Sequence, residues 1–175
     1  MEFYDLLQEG CISAVSLESA LGFKKLLIAG KDFILSDVDA RGAKEGANAL
    51  VGKDTKRLAK SSRYGVFIIP RSLSIDRFLI SHIRDSGAVL CLPLDSITST
   101  YGFVRSRNLR MLRSLHSYAS SKRVRIAIAS FASSERFMNS REQLLSLATL
   151  ISGSEEVARE EIEANKLVLE GKSVE

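Results

Sequence analysis

The chain has 175 residues, 45% of them apolar and 26% charged, with a formal net charge of +4. That length suits one domain with a sizeable core, and the composition excludes a disordered, fibrous or disulfide-stapled chain. Cys11 and Cys91 are the only cysteines, no apolar run approaches the roughly 18 residues of a membrane span, and residues 1–5 lack a signal-peptide pattern, so the expectation is a cytoplasmic protein with no membrane partner.

In chain order, residues 1–7, with Phe3, Tyr4 and Leu6, read as a first strand, and residues 12–21 as a helix that Gly22 terminates. The apolar runs 25–29 and 33–35, each bounded by Gly or Asp, read as buried strands. Between 38 and 52 the glycines 42, 46 and 52 interrupt any period and leave 48–51 as a short strand. Asp54 is the expected N-cap of a short helix over 54–62. Residues 66–69 form a strand ended by Pro70. Ser74 then caps a helix in which Ile75, Phe78, Leu79 and Ile83 share one face, and Gly87 stops it.

Strand 88–94, in which Cys91 reads as a small buried hydrophobe, leads through a Ser/Thr-rich loop into a basic helix over 107–119 and on into strand 124–130. Ser140 and Gln143 form a capping box for a helix to Ile151. Gly153 ends that helix, and Ser154 caps a last amphipathic one, acid-rich in its first turns as the helix dipole prefers. Its apolar residues, Val157, Ile162, Leu167 and Leu169, either close the domain or dock a partner.

Six or seven short strands alternating with helices imply parallel strands with helical crossovers. Strands apolar on both faces suit an α/β domain over residues 1–175, a small or irregular (β/α) TIM-like barrel. Such barrels typically need about 250 residues, so shortened or missing helices are expected near 38–46. An open flavodoxin-like sheet is the alternative.

Few residues suit metal or acid-base chemistry. The two histidines, His82 and His116, fall on helices and read as packed or half-exposed side chains, and no zinc or His-triad hydrolase signature occurs. Asp5, Asp37, Asp39 and Asp95 follow strand ends, where a barrel enzyme keeps its catalytic groups and where oxygens alone can bind a divalent ion. Gly46, Gly52 and Lys53 outline a phosphate loop, but the spacing is one residue too long and Asp54 stands where a metal-binding hydroxyl is needed.

The basic residues say more. Between Asp95 and Glu135 there is no acidic side chain, while Arg105, Arg107, Arg110, Arg113, Lys122, Arg123 and Arg125 are all cationic. On a helix over 107–119, Leu109, Leu112, Leu115 and Ala119 make the buried face. Arg107, Arg110 and Arg113 fall on the opposite flank at steps of three, a row able to meet successive phosphates. Arg105 is expected in the loop before the helix. Lys53, Lys56, Arg57, Lys60 and Arg63 make a second basic face, relieved only by Asp54. Solubility alone favours mixed signs, so two such faces point to a polyanion.

From about residue 66 to 172 the chain resembles the archaeal ribonuclease P protein component 3, the thirty-kilodalton-type subunit family. The likeness is carried by the strand 66–70, the helix opening Ser74-Ile75-Asp76, and Ala88-Val89-Leu90. It continues through the arginine helix with Arg105 and Arg110, Ser130-Phe131-Ala132, and Leu144-Leu145-Ser146-Leu147 leading to Gly153. The opener Phe3-Tyr4-Asp5-Leu6 is also similar, whereas 22–65 matches only in the order of elements. Asn139, Arg141 and Gln143 stand where the family has an Arg-x-Pro-x-Asp run. Asp5-Leu6-Leu7-Gln8 lacks both histidines of the Asp-Leu-His-x-His pattern of related metal-dependent phosphoesterases.

The resemblance implies a non-catalytic subunit of the ribonucleoprotein that removes the 5′ leader of precursor tRNA. Its implied partners are the ribonuclease P RNA, precursor tRNA within the complex, and ribonuclease P protein component 2. No cofactor or metal is expected on the protein, and Mg2+ is expected on the RNA component. The competing expectations are a free-standing barrel phosphoesterase using Asp5, Asp37 and Asp95 with a divalent ion, and a non-enzymatic module whose basic faces meet an acidic protein.

Overall fold

A computed structural model of the chain describes residues 3–9, 11, 17–41 and 46–169. Among them are seven strands: β1 (Tyr4–Leu7), β2 (Lys25–Ile28), β3 (Leu35–Asp37), β4 (Ala49–Gly52), β5 (Phe67–Pro70), β6 (Val89–Pro93) and β7 (Arg125–Ala129). All pairings are parallel. β1 pairs with β2, and β3 to β7 form a five-stranded sheet in sequential order, without the reversal of a doubly wound sheet. Parallel neighbours need crossovers. The helices are α1 (Glu18–Leu21), α2 (Val38–Arg41), α3 (Thr55–Ser61), α4 (Arg77–Ser86), α5 (Asp95–Thr98), α6 (Gly102–Ser121), α7 (Arg141–Ser152) and α8 (Glu155–Glu163), with 3-10 turns at Glu135–Phe137 and Ala164–Leu169.

The two-residue period of the strands divides the core. Leu7, Leu26, Ile28, Leu50, Ile68, Leu90, Leu92, Ile126 and Ile128 pack in one cluster with helix residues such as Leu58, Ile80, Leu112, Leu144 and Ile162. The alternate positions, among them Leu6, Leu27, Ala49, Val51, Phe67, Ile69, Val89, Cys91, Ala127 and Ala129, form a second cluster closed by Val168. Cys91 is buried with a free thiol, as a small core residue should be.

Backbone bonds also run beyond the named strands. Phe131 N–H donates to Leu6 O at 2.8 Å and Gln8 N–H to Ala132 O at 3.0 Å, tying β1 to the chain that leaves β7. An isolated parallel bridge joins Ala29, after β2, to Phe33, before β3. Asn165 donates from Nδ2 to Tyr4 O at 3.0 Å and Ile128 O at 2.9 Å, and Asn48 Nδ2 donates to Val168 O at 3.1 Å. The last 3-10 turn is thus tied to both β1 and β7.

Several boundaries differ from the sequence reading, each for a local reason. Helix α4 is capped by Asp76, whose carboxylate accepts from the Phe78 and Leu79 amides, whereas Ser74 bonds Ser72. Phe33 contributes only the isolated bridge, and the strand proper is Leu35–Asp37. The Ser/Thr loop holds the four-residue helix α5. Of the expected helix over 12–21, residues 12–16 lie outside the described residues, and the helix seen is Glu18–Leu21 with Leu17 at its N-cap. Leu167 and Leu169 lie on the 3-10 turn, not on α8. Gly52 is required by packing, since a Cβ there would stand 2.6 Å from Val38 Cγ2.

Candidate nucleic-acid interface

Helix α6 runs for 20 residues, from Gly102 to Ser121. Its strong helix formers concentrate between Arg105 and Leu115, and Leu112, Leu115, His116 and Ala119 bury one face while Leu109 and Met111 are partly buried. The helix starts a turn and a half earlier than the sequence reading, so Arg105 stands in the helix and not in the loop before it. Arg105, Arg107, Arg110 and Arg113 are all exposed. No ion pair or hydrogen bond engages any of the four side chains among the described residues. Arg110 and Arg113 line an open groove of about 750 Å3 with the hydroxyl residues Ser106, Ser114 and Ser117. Guanidiniums and hydroxyls in alternation suit a phosphate backbone.

Two polar contacts fix the helix to the body. Asn108 Nδ2 donates to Ser96 O at 2.8 Å, and His116 Nε2 meets Glu161 Oε1 of α8 at 2.7 Å with both side chains buried. Histidine 116 is therefore a structural residue, and His82 bonds Phe78 O through Nδ1 at 2.9 Å. Beyond α6, Lys122 lies over the Tyr118 ring at 5.6 Å. Arg123 turns the chain into β7 with a φ of 58°, uncommon for a residue other than glycine. Arg125 donates to Gly87 O at 2.6 Å. These three expected contacts are exposed but carry structural tasks as well.

The second basic row sits on and around α3. Asp54 caps this helix, accepting from the Lys56 and Arg57 amides at 3.0 and 3.1 Å. Lys53 precedes the helix and Arg63 follows it, so only Lys56, Arg57 and Lys60 share it. All five cations are exposed, but Arg57 Nε lies 3.6 Å from Asp54 and its Nη1 donates to Asp39 O, while Arg63 lies over Tyr64 at 4.8 Å. This row is partly satisfied within the chain.

Of the strand-end carboxylates, Asp37, Asp39 and Asp95 all lie near the Arg71 guanidinium. Asp5 is fully buried and accepts from Ser130 N–H at 2.7 Å, and burial pushes its carboxyl up to about 6 against the pull of the Ser130 hydrogen bonds. Asp37 pairs with Arg71 at 3.3 Å. The Lys53 amide at 2.6 Å holds Asp39 below the usual carboxylate range. Burial raises Asp95 although it accepts from Ser96 N–H. Among the described residues no three His, Cys, Asp or Glu side chains gather as metal ligands. Lys53, Arg71, Asp95 and Ser96 instead line a cavity of about 230 Å3 at the ends of β4 to β6.

At the positions that depart from the family's run, each residue has a local task. Buried Asn139 donates to Ser130 Oγ at 3.2 Å, Arg141 stacks over Phe3 at 4.2 Å, and Gln143 completes the Ser140 capping box. The sequence reading missed one surface feature: Tyr101, Phe103 and Val104, at the start of α6, are strongly exposed. Their early place on the helix was the missing clue.

Fold and surface together define an α/β protein with a five-stranded parallel sheet and a long helix that presents uncompensated arginines. No protein-family model matches this sequence, and no curated protein matches it. No helix among the described residues is long and apolar enough to cross a membrane.

Proposed function

We propose that this chain is a non-catalytic protein subunit of ribonuclease P, of the protein component 3 type, which binds the catalytic RNA and supports removal of the 5′ leader from precursor tRNA. The observation that carries this reading is the row Arg107, Arg110 and Arg113, exposed on one flank of a helix in a stretch without an acidic side chain, with Arg105 exposed on the side toward α7. Such a row neutralises phosphates and positions structured RNA without reading its sequence. The residue pattern that resembles the family supports the more specific assignment. Chemistry then rests on the RNA and its Mg2+, with protein component 2 as partner and the cytoplasm as compartment.

The same reading takes the seven strands as a small, irregular (β/α) barrel. Three observations support it: the bonds linking β1 to the chain after β7, the bridge between β2 and the entry to β3, and the apolar cluster drawn from alternate residues of the strands. Among the described residues the α-helices pack on one face of the strands and the other face meets only the last 3-10 turn, which also favours a barrel over a flavodoxin-like sheet covered by helices on both.

Reconstitution is the test. Precursor tRNA cleavage is measured with the RNA and the other subunits, with and without this chain. Omission should lower the rate, and full activity without it would sink the assignment.

A further inference from the structure

Tyr101 and Phe103, 73% and 81% exposed, are the most exposed large apolar side chains among the described residues, and Val104 beside them is 51% exposed. Other exposed aromatics are occupied from within the chain. The Phe78 ring packs on His82 with centroids 4.1 Å apart, and Tyr64 lies under Arg63. No ring or cation covers Tyr101 or Phe103 among the described residues. Leaving two bare rings in water is unfavourable and marks an interaction surface.

The surroundings select the partner. Arg107 and Arg110 follow Phe103 on one face of α6, at steps of four and three, in a stretch with no acidic residue from 96 to 134, whereas Arg105 turns toward Glu142 and Gln143 of α7. An apolar protein surface would have to strip water from these guanidiniums without offering them counter-charges. An unpaired nucleotide satisfies both components, because its base has a π face for a ring and its phosphate accepts from arginine.

We infer that the N-terminal end of α6 is a stacking platform for unpaired bases, with Tyr101 and Phe103 against base faces and Arg107 on the adjoining phosphate. This rests on the RNA-binding reading and deepens it: the arginine row further along α6 holds backbone of any geometry, whereas the platform selects single-stranded segments, whose bases are free to splay.

Binding of the full chain to a single-stranded RNA oligonucleotide and to a blunt RNA duplex tests this. The double variant Tyr101→Ala/Phe103→Ala should bind the single strand roughly ten-fold or more weakly, while duplex binding stays within about two-fold. Both side chains are exposed, so the variant keeps its fold. Arg110→Ala should weaken both complexes. The chain has no tryptophan, so Tyr101→Trp supplies a single reporter whose fluorescence a stacked base quenches, with the single strand and not with the duplex. Unchanged single-strand binding by the double variant, or equal losses on both RNAs, would overturn the platform. If that variant bound RNA normally but no longer co-assembled with a partner protein, the patch would be a protein dock and the platform would again be overturned. A wild-type chain that binds neither RNA would sink the RNA reading itself.

Discussion

The two basic rows, on α6 and around α3, are similar in sequence and different in state. Arginine 57 is held by Asp54 and the Asp39 carbonyl, and Arg63 rests on Tyr64, whereas the four arginines of α6 have no partner among the described residues. The contrast comes from what lies nearby. Around α3 the chain supplies Asp54 for the cap and Asp39 for the loop amides, and those carboxylates also screen the cations. Helix α6 has no carboxylate of its own and is capped without a side chain. A charge count treats the rows alike, yet on α6 only Arg105 shares a groove with a carboxylate, Glu142 of α7, and Arg107, Arg110 and Arg113 keep their positive field for a ligand.

The comparison can be broken most forcefully at the anchor of α6. Glu161→Ala would leave buried His116 without its hydrogen-bond partner and should cost roughly 1–3 kcal/mol in urea denaturation. Glu161→Gln keeps an acceptor and should cost much less. Equal losses would mean that packing alone holds the helix.

Asp5 supplies the next effect. Its folded carboxyl, raised to about 6, binds a proton more tightly than in the unfolded chain, where its ordinary value is 3.8. The contribution of this group to stability should therefore be greatest below about pH 4, fall as the pH rises through 6, and level off above, by up to about 3 kcal/mol. Asp5→Asn should remove that part of the pH profile while retaining an acceptor for Ser130, as denaturation at pH 5 and pH 7.5 would reveal.

For RNA binding, replacing Arg107, Arg110 and Arg113 with alanine should reduce the salt slope by about 3, one for each lost phosphate contact. The matching triple at Lys56, Arg57 and Lys60 should reduce it by less; equal reductions would erase the distinction between the rows. The smallest effect sharpens it. Asp54→Ala should cost about 1 kcal/mol through the lost cap and yet strengthen RNA binding, because it releases Arg57.

Much of the fold was legible where signals are local. Gly22, Gly87 and Gly153 end their helices in left-handed conformations, Asp54 and Ser154 cap theirs, and the Ser140–Gln143 box forms as its spacing implies. The apolar runs became buried parallel strands. Ser74 and Asp76 were both competent caps, and the choice depended on where the chain leaving β5 enters α4. The first turns of α6 escaped notice because they bury nothing and therefore carry no period. For the same reason the bare aromatics went unrecognised, although Arg107, Arg110 and Arg113 on the periodic part were read as exposed. The His116–Glu161 pair joins residues 45 positions apart and has no local signature.

Asn165 gives the molecule an order in time. Its one amide group bonds the carbonyls of Tyr4 and Ile128, so the first and seventh strands share a fastener made 161 residues after the first of them. During synthesis on a ribosome β1 emerges 161 residues ahead of Asn165, and this lock cannot engage until Asn165 is out. Until then the seam beside β1 has only its backbone bonds to residues 131 and 132, and a chaperone or a neighbouring nascent chain would meet the protein there first.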